Sequence, residues 1–161
     1  MQIFGEEKGF DYMKGLHANI NQYTKSGSAP IKAAARGENT IGVAFLHGVV
    51  KQAVSGFPVD GVAPCEGTGY EIGSMSIIDG ARNVDEAKMF YDWALSAKAQ
   101  SEAWKVKSFQ VPSNVSAESS PLAPDPASIN LIDYDFKLYG SSAERKRLLK
   151  KWDDEVSVLP Q

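Results

Sequence analysis

Residues 37–47, Gly37-Glu38-Asn39-Thr40-Ile41-Gly42-Val43-Ala44-Phe45-Leu46-His47, decide the fold that the sequence predicts. From Ile41 onward the run is almost continuously apolar, short for a helix, and bounded by Gly37 and Gly48. Such a run is typical of a strand buried on both faces of a parallel sheet. Because helices flank strands of that kind, the stretch predicts an α/β fold. His47 would then lie at the carboxyl end of the strand, where open α/β sheets bind their ligands.

The composition narrows the class of protein. A chain of 161 residues, 43% hydrophobic and 23% charged, has the size and make-up of one globular domain. The net charge of −3, with no basic face, argues against a nucleic-acid partner. The single cysteine, Cys65, excludes a disulfide framework and a multi-cysteine metal site. No run reaches transmembrane length. The first residues show no signal peptide, as would also be true of part of an exported protein.

Helices and strands alternate along the rest of the chain. Capping residues and apolar periodicity predict helices over Glu6–His17, Ile31–Arg36 with Ser28 as N-cap, Val49–Val54, from Asn83, from Ser96 through Trp104, and from Ser141. Strands are predicted at 19–23, 59–63 and 70–78, in addition to 41–47. Residues 108–135, rich in proline and serine, are predicted to be largely irregular.

Several polar residues are candidates for a binding site. The Ser26-Gly27-Ser28 helix start, with Lys25 beside it, can hold an anion through its free amides, although a plain capped helix has the same sequence. His47 is a candidate ligand contact or a structural histidine. Glu66 and Glu71, in or beside a glycine-containing loop, can accept hydroxyl hydrogen bonds or lie exposed without a role.

A thiol nucleophile at Cys65 activated by His47 is the enzymatic alternative, and no oxyanion-hole signature or family motif around Cys65 supports it. His17 is expected at a helix end, where it favours the negative terminus. The large aromatic residues at helical spacing are expected in the core: Phe90, Tyr91, Trp104 and Trp152.

Three stretches taken together resemble a known family. These are Tyr23 to Pro30, Ala35 to Glu38 with Gly42 to His47, and Pro64-Cys65-Glu66-Gly67-Thr68-Gly69-Tyr70-Glu71-Ile72-Gly73-Ser74 with the following Gly80-Ala81-Arg82-Asn83. Their order is similar to that in extracytoplasmic solute-binding proteins of ABC importers, in the ferric-iron, sugar-phosphate and phosphonate branch. The resemblance covers most of residues 5–105. It implies a type II periplasmic binding protein-like α/β fold, of which this chain would be the C-terminal half.

The resemblance also implies a division of the chain and a ligand class. Residues 1–78 would form a second-lobe α/β segment with a crossing strand, and residues 79–161 a helical segment that packs on a first lobe. The iron-binding relatives carry adjacent tyrosines where this chain has His47-Gly48, which removes tyrosinate coordination of iron. The sugar-phosphate and phosphonate relatives carry His-Asp there, so this chain keeps the histidine and lacks the carboxylate.

The sequence therefore predicts a substrate-binding component of an ABC importer, without catalytic residues, metal site or cofactor. A small anionic solute or an iron(III) compound would bind at Ser26, Gly27, Ser28, His47 and Glu71. A truncated half that does not bind is the alternative. The expected partners are permease subunits and a second copy of the chain, because the stripes Phe90, Tyr91, Ala94 and Leu148, Leu149, Trp152 would lack their cover. The parent protein is expected in the periplasm.

Overall fold

The computed structural model describes residues 1–160, and its regular structure in this range is helical. The α-helices are α1 (Glu6–His17), α2 (Ala29–Ala35), α3 (Leu46–Val54), α4 (Val84–Leu95), α5 (Ala97–Glu102), α6 (Phe136–Tyr139) and α7 (Ser142–Glu155). Short 3-10 helices cover Ala103–Val106 and Pro126–Ser128. None of the described helices is long and apolar enough to cross a membrane.

Helix starts follow the capping residues in the sequence. Helix α1 has the predicted bounds. Ser96 and Ser141 act as the predicted N-caps, since their hydroxyl oxygens accept hydrogen bonds from the amides of Ala99 and Glu144 at 3.2 Å. Ser28 and Asn83 also occupy N-cap positions, but their side chains do not cap the helices that follow. The sequence therefore located these helix starts correctly, while the capping hydrogen bond forms at only some of them.

The predicted strands do not form, which corrects the sequence interpretation at 19–23, 41–47, 59–63 and 70–78. Within residues 1–160 the β-structure is one isolated parallel bridge between Thr68 and Leu131. A strand needs a neighbour to pair its backbone N–H and C=O groups, whereas a helix pairs them within itself. The end of the apolar run accordingly joins helix α3, so that His47 lies in the first turn of a helix and not at a strand end.

The chain divides into two compact units that alternate along the sequence. The first contains Met1–Thr24, Pro64–Gly69 and the described residues from Ile129 onward, and the second contains Lys25–Ala63 and Tyr70–Ser128. The sequence predicted a division into residues 1–78 and residues 79–161. The assignment of those two segments to lobes stays a prediction.

The core of the first unit lies where side chains of α1 and α7 pack against each other. Phe10 and Val156 are almost completely buried, and the Lys151 ammonium lies 4.6 Å from the centroid of the Phe10 ring. Above them Glu6 accepts hydrogen bonds from Arg147 at 2.6 and 2.9 Å and from Lys151 at 3.0 Å. Charge and apolar packing therefore join the first and last helices of the chain.

His17, the last residue of α1, is a structural group of this first unit. Its ring is 3% exposed and makes two hydrogen bonds, from Nδ1 to the Tyr23 hydroxyl at 2.9 Å and from Nε2 to the Leu159 carbonyl at 3.0 Å. Because a carbonyl can only accept, Nε2 carries a proton. The Trp152 indole contacts the rings of His17 and Tyr23 edge-on. His17 is thus at the predicted helix end, and it additionally ties down the C-terminal segment.

The second unit has its buried residues in two places. Ile31 and Ala35 of α2 are buried beneath α3, and Phe109 and Ser120 are buried in the irregular segment that follows α5. The sequence predicted this segment to be largely irregular. Hydrogen bonds from side chains hold it in place. Gln100 accepts from the Asn114 amide at 2.9 Å, and the Asn114 side chain donates to the Leu95 carbonyl at 2.8 Å.

Candidate functional site

The starts of helices α2 and α3 lie next to each other in the second unit. A Cβ atom at Gly42 would lie 2.6 Å from the Pro30 carbonyl oxygen, and a Cβ atom at Gly27 would lie 2.9 Å from Cε2 of Phe45. Both distances are below any ordinary carbon contact, so the two glycines permit the close approach. Pro30 is in the first turn of α2 and Phe45 is the N-cap residue of α3. The backbone therefore brings two helix N-termini together.

Both helix starts favour negative charge. Neither α2 nor α3 has an acidic residue in its first turn or a side chain that caps its amides. The Ala29 amide of α2 donates to the Ser26 carbonyl at 3.1 Å and Pro30 has no N–H, so the positive partial charge at this start comes mainly from the helix dipole. Because two starts meet here, the region attracts an anion more strongly than a single helix would.

His47 lies at this junction, in the first turn of α3. Its ring stacks on the Phe45 ring with centroids 5.4 Å apart and an angle of 16° between the planes. The side chain is half-buried, and this burial lowers the pKa of the His47 imidazole below its ordinary value. The ring is therefore neutral at neutral pH and can donate or accept a hydrogen bond.

The two predicted serines lie at the start of α2. The hydroxyl oxygens of Ser26 and Ser28 are 3.3 Å apart, and both residues are exposed. Ser28 is the N-cap residue, yet its hydroxyl does not take up an amide of α2. The structure thus brings Ser26, Gly27 and Ser28 to one end of the junction, with His47 joined to them through the Phe45 ring.

Glu71 is the predicted site residue that no contact connects to this junction. It belongs to the same compact unit and is exposed. It makes no hydrogen bond or ion pair with any other residue that the structure describes. The role of Glu71 stays a prediction from the sequence.

Phe45 is the junction residue that the sequence interpretation missed as a site component. Its ring lies against Gly27, where a larger residue would have a side chain. The same ring also stacks on the ring of His47. The signal was present as a glycine at position 27 and an aromatic residue two positions before the histidine. The strand interpretation had assigned Phe45 to a buried core, although 45% of its surface is exposed.

Two cavities lie in the first unit, which contains none of the predicted site residues. One of about 640 Å³ is lined by His17, Tyr23, Trp152, Ser157 and Leu159. The other, of about 400 Å³, is mostly apolar and lies between the N-terminal residues and Tyr12, Tyr134 and Tyr139. The His17 ring at the first cavity already has both nitrogens occupied, so this cavity offers little polar recognition.

The thiol and the carboxylates do not form a reactive or metal-binding group. The exposed Cys65 donates a hydrogen bond to the Glu66 carboxylate at 3.3 Å. The backbone amide of Glu66 and then the Cys65 thiol lower the pKa of that carboxyl by their hydrogen bonds to it. Cys65 belongs to the first unit and His47 to the second. Among the described residues no three His, Cys, Asp or Glu side chains gather where a metal ion could bind.

Comparisons with known proteins found an uncharacterized relative and solved structures of periplasmic binding proteins. No model of a known protein family matches the chain. The chain is 52% identical over 159 residues to an uncharacterized protein of Haemophilus influenzae, covering 98% of this chain and 46% of that protein. It superposes with a TM-score of 0.92, at 54% identity, on the periplasmic binding protein AfuA from Actinobacillus pleuropneumoniae, whose structure contains exogenous fructose 6-phosphate. That match covers 98% of this chain and 50% of AfuA.

A second solved structure gives the same result. The periplasmic binding protein P5PA superposes with a TM-score of 0.83 at 38% identity, covering 97% of this chain and 50% of P5PA. The chain thus spans about half the length of the relatives that it matches. These structures confirm the resemblance and the fold class predicted from the sequence: the chain is similar, over nearly all of its length, to about half of a type II periplasmic binding protein.

Proposed function

We propose that this chain is part of the substrate-binding component of an ABC importer, and that the junction of helices α2 and α3 is its share of the solute site. The observation that carries the proposal is the close approach of the starts of α2 and α3, neither of which has a side-chain cap, beside the His47 ring. The similarity to AfuA, a binding protein solved with fructose 6-phosphate, supports the same function. The proposed ligand-binding residues are Ser26, Gly27, Ser28, His47 and Glu71.

The proposed solute is a small phosphorylated compound. Phosphate oxygens accept hydrogen bonds, and helix amides, serine hydroxyls and an imidazole N–H can donate them. An iron(III) compound fits less well, because this chain has His47-Gly48 where the iron-binding relatives carry adjacent tyrosines. We therefore propose a sugar phosphate or a phosphonate as the solute, in preference to an iron complex.

The proposed activity is binding without catalysis. Both solved structures that the chain matches are of binding proteins. The Cys65 thiol donates its hydrogen bond to the Glu66 carboxylate and not to a histidine. A binding protein of this kind works in the periplasm and delivers its solute to permease subunits in the membrane. We propose both for the protein to which this chain belongs.

A titration with fructose 6-phosphate tests the function. We expect weak binding by this chain, because solute sites of this type draw contacts from more protein than it contains, and we expect no binding of unphosphorylated fructose. Replacing the imidazole in His47→Ala should weaken binding about tenfold or more, which corresponds to the loss of one hydrogen bond to a charged group. Ser28→Ala should act in the same direction.

The matched control is Ser119→Ala, which removes an exposed hydroxyl of the same compact unit outside the junction. Calorimetry or chemical-shift titration reports each affinity. Ferric citrate binding more tightly than fructose 6-phosphate, or equal losses in Ser28→Ala and Ser119→Ala, would contradict the proposed site.

We also propose that the isolated chain associates with a second copy of itself through helix α4. Met89, Phe90 and Trp93 form an exposed ridge on α4, in which the rings of Phe90 and Trp93 are 5.4 Å apart. Exposed apolar groups that are contiguous usually mark an interface.

Of the stripe predicted on α4, Phe90 is exposed, contrary to the core position expected for it, while Tyr91 and Ala94 are half-buried. Of the stripe predicted on α7, Leu149 is exposed while Leu148 and Trp152 are half-buried. Because the exposed Met89 and Trp93 adjoin Phe90, α4 is the stronger candidate.

A further inference from the structure

The imidazole of His47 differs in its hydrogen bonding from that of His17. Both ring nitrogens of His17 make hydrogen bonds within the first unit, and that side chain is buried. The ring nitrogens of His47 make no hydrogen bond or ion pair with any residue that the structure describes, although the side chain is half-buried. A polar group that its own protein does not pair is matched by water or by a ligand. The nitrogens of His47 are therefore available to a bound molecule.

One face of the His47 ring lies on the ring of Phe45. The two centroids are 5.4 Å apart, and the planes differ by 16°. Stacking at this distance is a favourable arrangement of two rings and fixes the plane of each. The contact is made by the face of the imidazole, whereas its nitrogens lie at the edge. His47 is therefore held by one face while its hydrogen-bonding edge stays open.

The Phe45 ring in turn lies against Gly27. A Cβ atom at position 27 would lie 2.9 Å from Cε2 and 3.5 Å from Cδ2 of this ring. Two carbon atoms that are not bonded do not approach to 2.9 Å, so any larger residue at position 27 would displace the ring. Gly27 is not among the glycines with positive φ, so its backbone conformation suits other residues as well. Glycine is therefore required here for the space that it leaves to Phe45.

The backbone on both sides of Phe45 is fixed against α2. Three positions before it, a Cβ atom at Gly42 would lie 2.6 Å from the Pro30 carbonyl oxygen. Three positions after it, a Cβ atom at Gly48 would lie 3.5 Å from Cγ2 of Ile31, which is buried. The backbone therefore has little room to move, and a push on the aromatic ring is taken up by the side chain.

We propose that Phe45 is a positioning residue of the solute site, and that Gly27 sets the place of its ring. Phe45 needs no contact with the solute for this role. It holds the imidazole of His47 in the plane and place in which the imidazole meets the phosphate group of the solute. A side chain that is already held in its bound orientation loses less conformational entropy on binding, which raises the affinity. The effect on affinity rests on the proposed solute site, whereas the arrangement of the rings is testable without a solute.

Nuclear magnetic resonance of the chain without solute tests the ring arrangement. The sequence has two histidines, so His47→Ala identifies the imidazole signals of His47. We expect nuclear Overhauser contacts between the Phe45 and His47 rings, and an upfield shift of the imidazole protons caused by the stacked ring. Gly27→Ala should remove both. Gly15→Ala is the matched control, at a glycine of the first unit where a Cβ atom would meet nothing within 4 Å, and should change neither. Unchanged His47 signals in Gly27→Ala would overturn the proposal.

A second pair of variants acts on the ring itself. Phe45→Leu removes the aromatic ring, and Phe45→Tyr keeps it. Because 45% of the Phe45 surface is exposed, circular dichroism should show intact helices in both. Phe45→Leu should move the imidazole signals of His47 as Gly27→Ala does, and Phe45→Tyr should preserve them. The same signals in Phe45→Leu as in the original chain would refute stacking in solution.

Fructose 6-phosphate is the probe for the effect on binding. We expect Phe45→Leu to weaken binding about threefold to tenfold, which is the effect of freeing one side chain. It should have no further effect when His47→Ala is already present, because a positioning residue acts only through the residue that it positions. Losses that add in the double variant would show a purely structural role of Phe45 and overturn the proposal. An original chain that binds no fructose 6-phosphate would contradict the proposed function, and the imidazole signals would still decide whether Phe45 and Gly27 position His47.

Discussion

At the scale of single residues, Lys107 holds a backbone conformation that its side chain disfavours. It follows the 3-10 helix Ala103–Val106 with φ 63° and ψ 32°, in the left-handed region, and its amide donates to the Trp104 carbonyl at 3.0 Å. This conformation costs a residue with a Cβ atom about 1–2 kcal/mol, and glycine adopts it freely.

Lys107→Gly should therefore stabilise the chain by up to about 1 kcal/mol, since the relief of strain exceeds the added chain entropy of glycine. Urea denaturation followed by circular dichroism measures the change. Lys107→Ala is the control, because alanine removes the same charge and keeps the Cβ atom. An equal gain in both variants would show that the charge, and not the backbone, is responsible.

His47 shows what the residue pattern predicted and what it did not. The sequence indicated a polar group at the end of an apolar run beside a helix start, and the structure places His47 close to the start of α2 through Phe45. The sequence interpretation missed the element, because Leu46, His47 and Gly48 form the first turn of α3, in which their carbonyl groups accept hydrogen bonds within the helix. Periodicity alone does not distinguish a short buried strand from the beginning of a helix.

At the scale of elements, helices were predictable because their signals are local. Capping serines and apolar spacing lie within a few residues of each other, as at Ser96 and Ser141. Strands depend on partners remote in sequence, and residues 59–63 and 70–78 find none in the described chain. The contact between α1 and α7 could not be predicted from the sequence either, since Glu6 and Arg147 are far apart in it.

The Glu6 cluster makes the pairing of α1 and α7 sensitive to acid. Hydrogen bonds from Arg147 and then Lys151 lower the pKa of Glu6 from 4.5 to about 2. A carboxyl whose pKa is lower in the folded than in the unfolded chain stabilises the fold above the unfolded value, and this contribution disappears as the pH falls from 4.5 towards 2. Exposure to solvent and salt keeps the contribution modest.

Glu6→Gln should accordingly reduce the loss of stability over this pH interval, because glutamine does not titrate. Thermal denaturation of both proteins at a series of pH values measures the difference, and high salt should diminish it. Glu7→Gln, at the neighbouring position in the same first turn, is the matched control. Identical pH profiles for the Glu6 variant and the original chain would show that the ion cluster does not contribute.

At the scale of the whole molecule, the chain is similar to about half of longer binding proteins, and many of its large apolar side chains are exposed. The small number of buried apolar side chains, among them Phe10, Ile31, Phe109 and Val156, contrasts with many large apolar groups that are exposed. The sequence predicted this situation through the resemblance to proteins twice its length. The sequence could not show which helix faces would be exposed. That depends on tertiary packing: α1 and α7 bury each other's apolar side chains, whereas the apolar side chains of α4 remain exposed.

Self-association should follow from the open face of α4. We expect the isolated chain to sediment at twice its mass of 17.5 kDa at micromolar concentration, because a two-fold dimer buries Met89, Phe90 and Trp93 of each copy against the other. Trp93→Lys should shift the equilibrium to monomer and increase the binding of a hydrophobic dye. Val115→Lys, which introduces the same charge at a fully exposed position away from α4, should leave the dimer intact. A monomer that binds no dye would instead mean that the ridge is covered within one chain in solution, and the dimer proposal would be wrong.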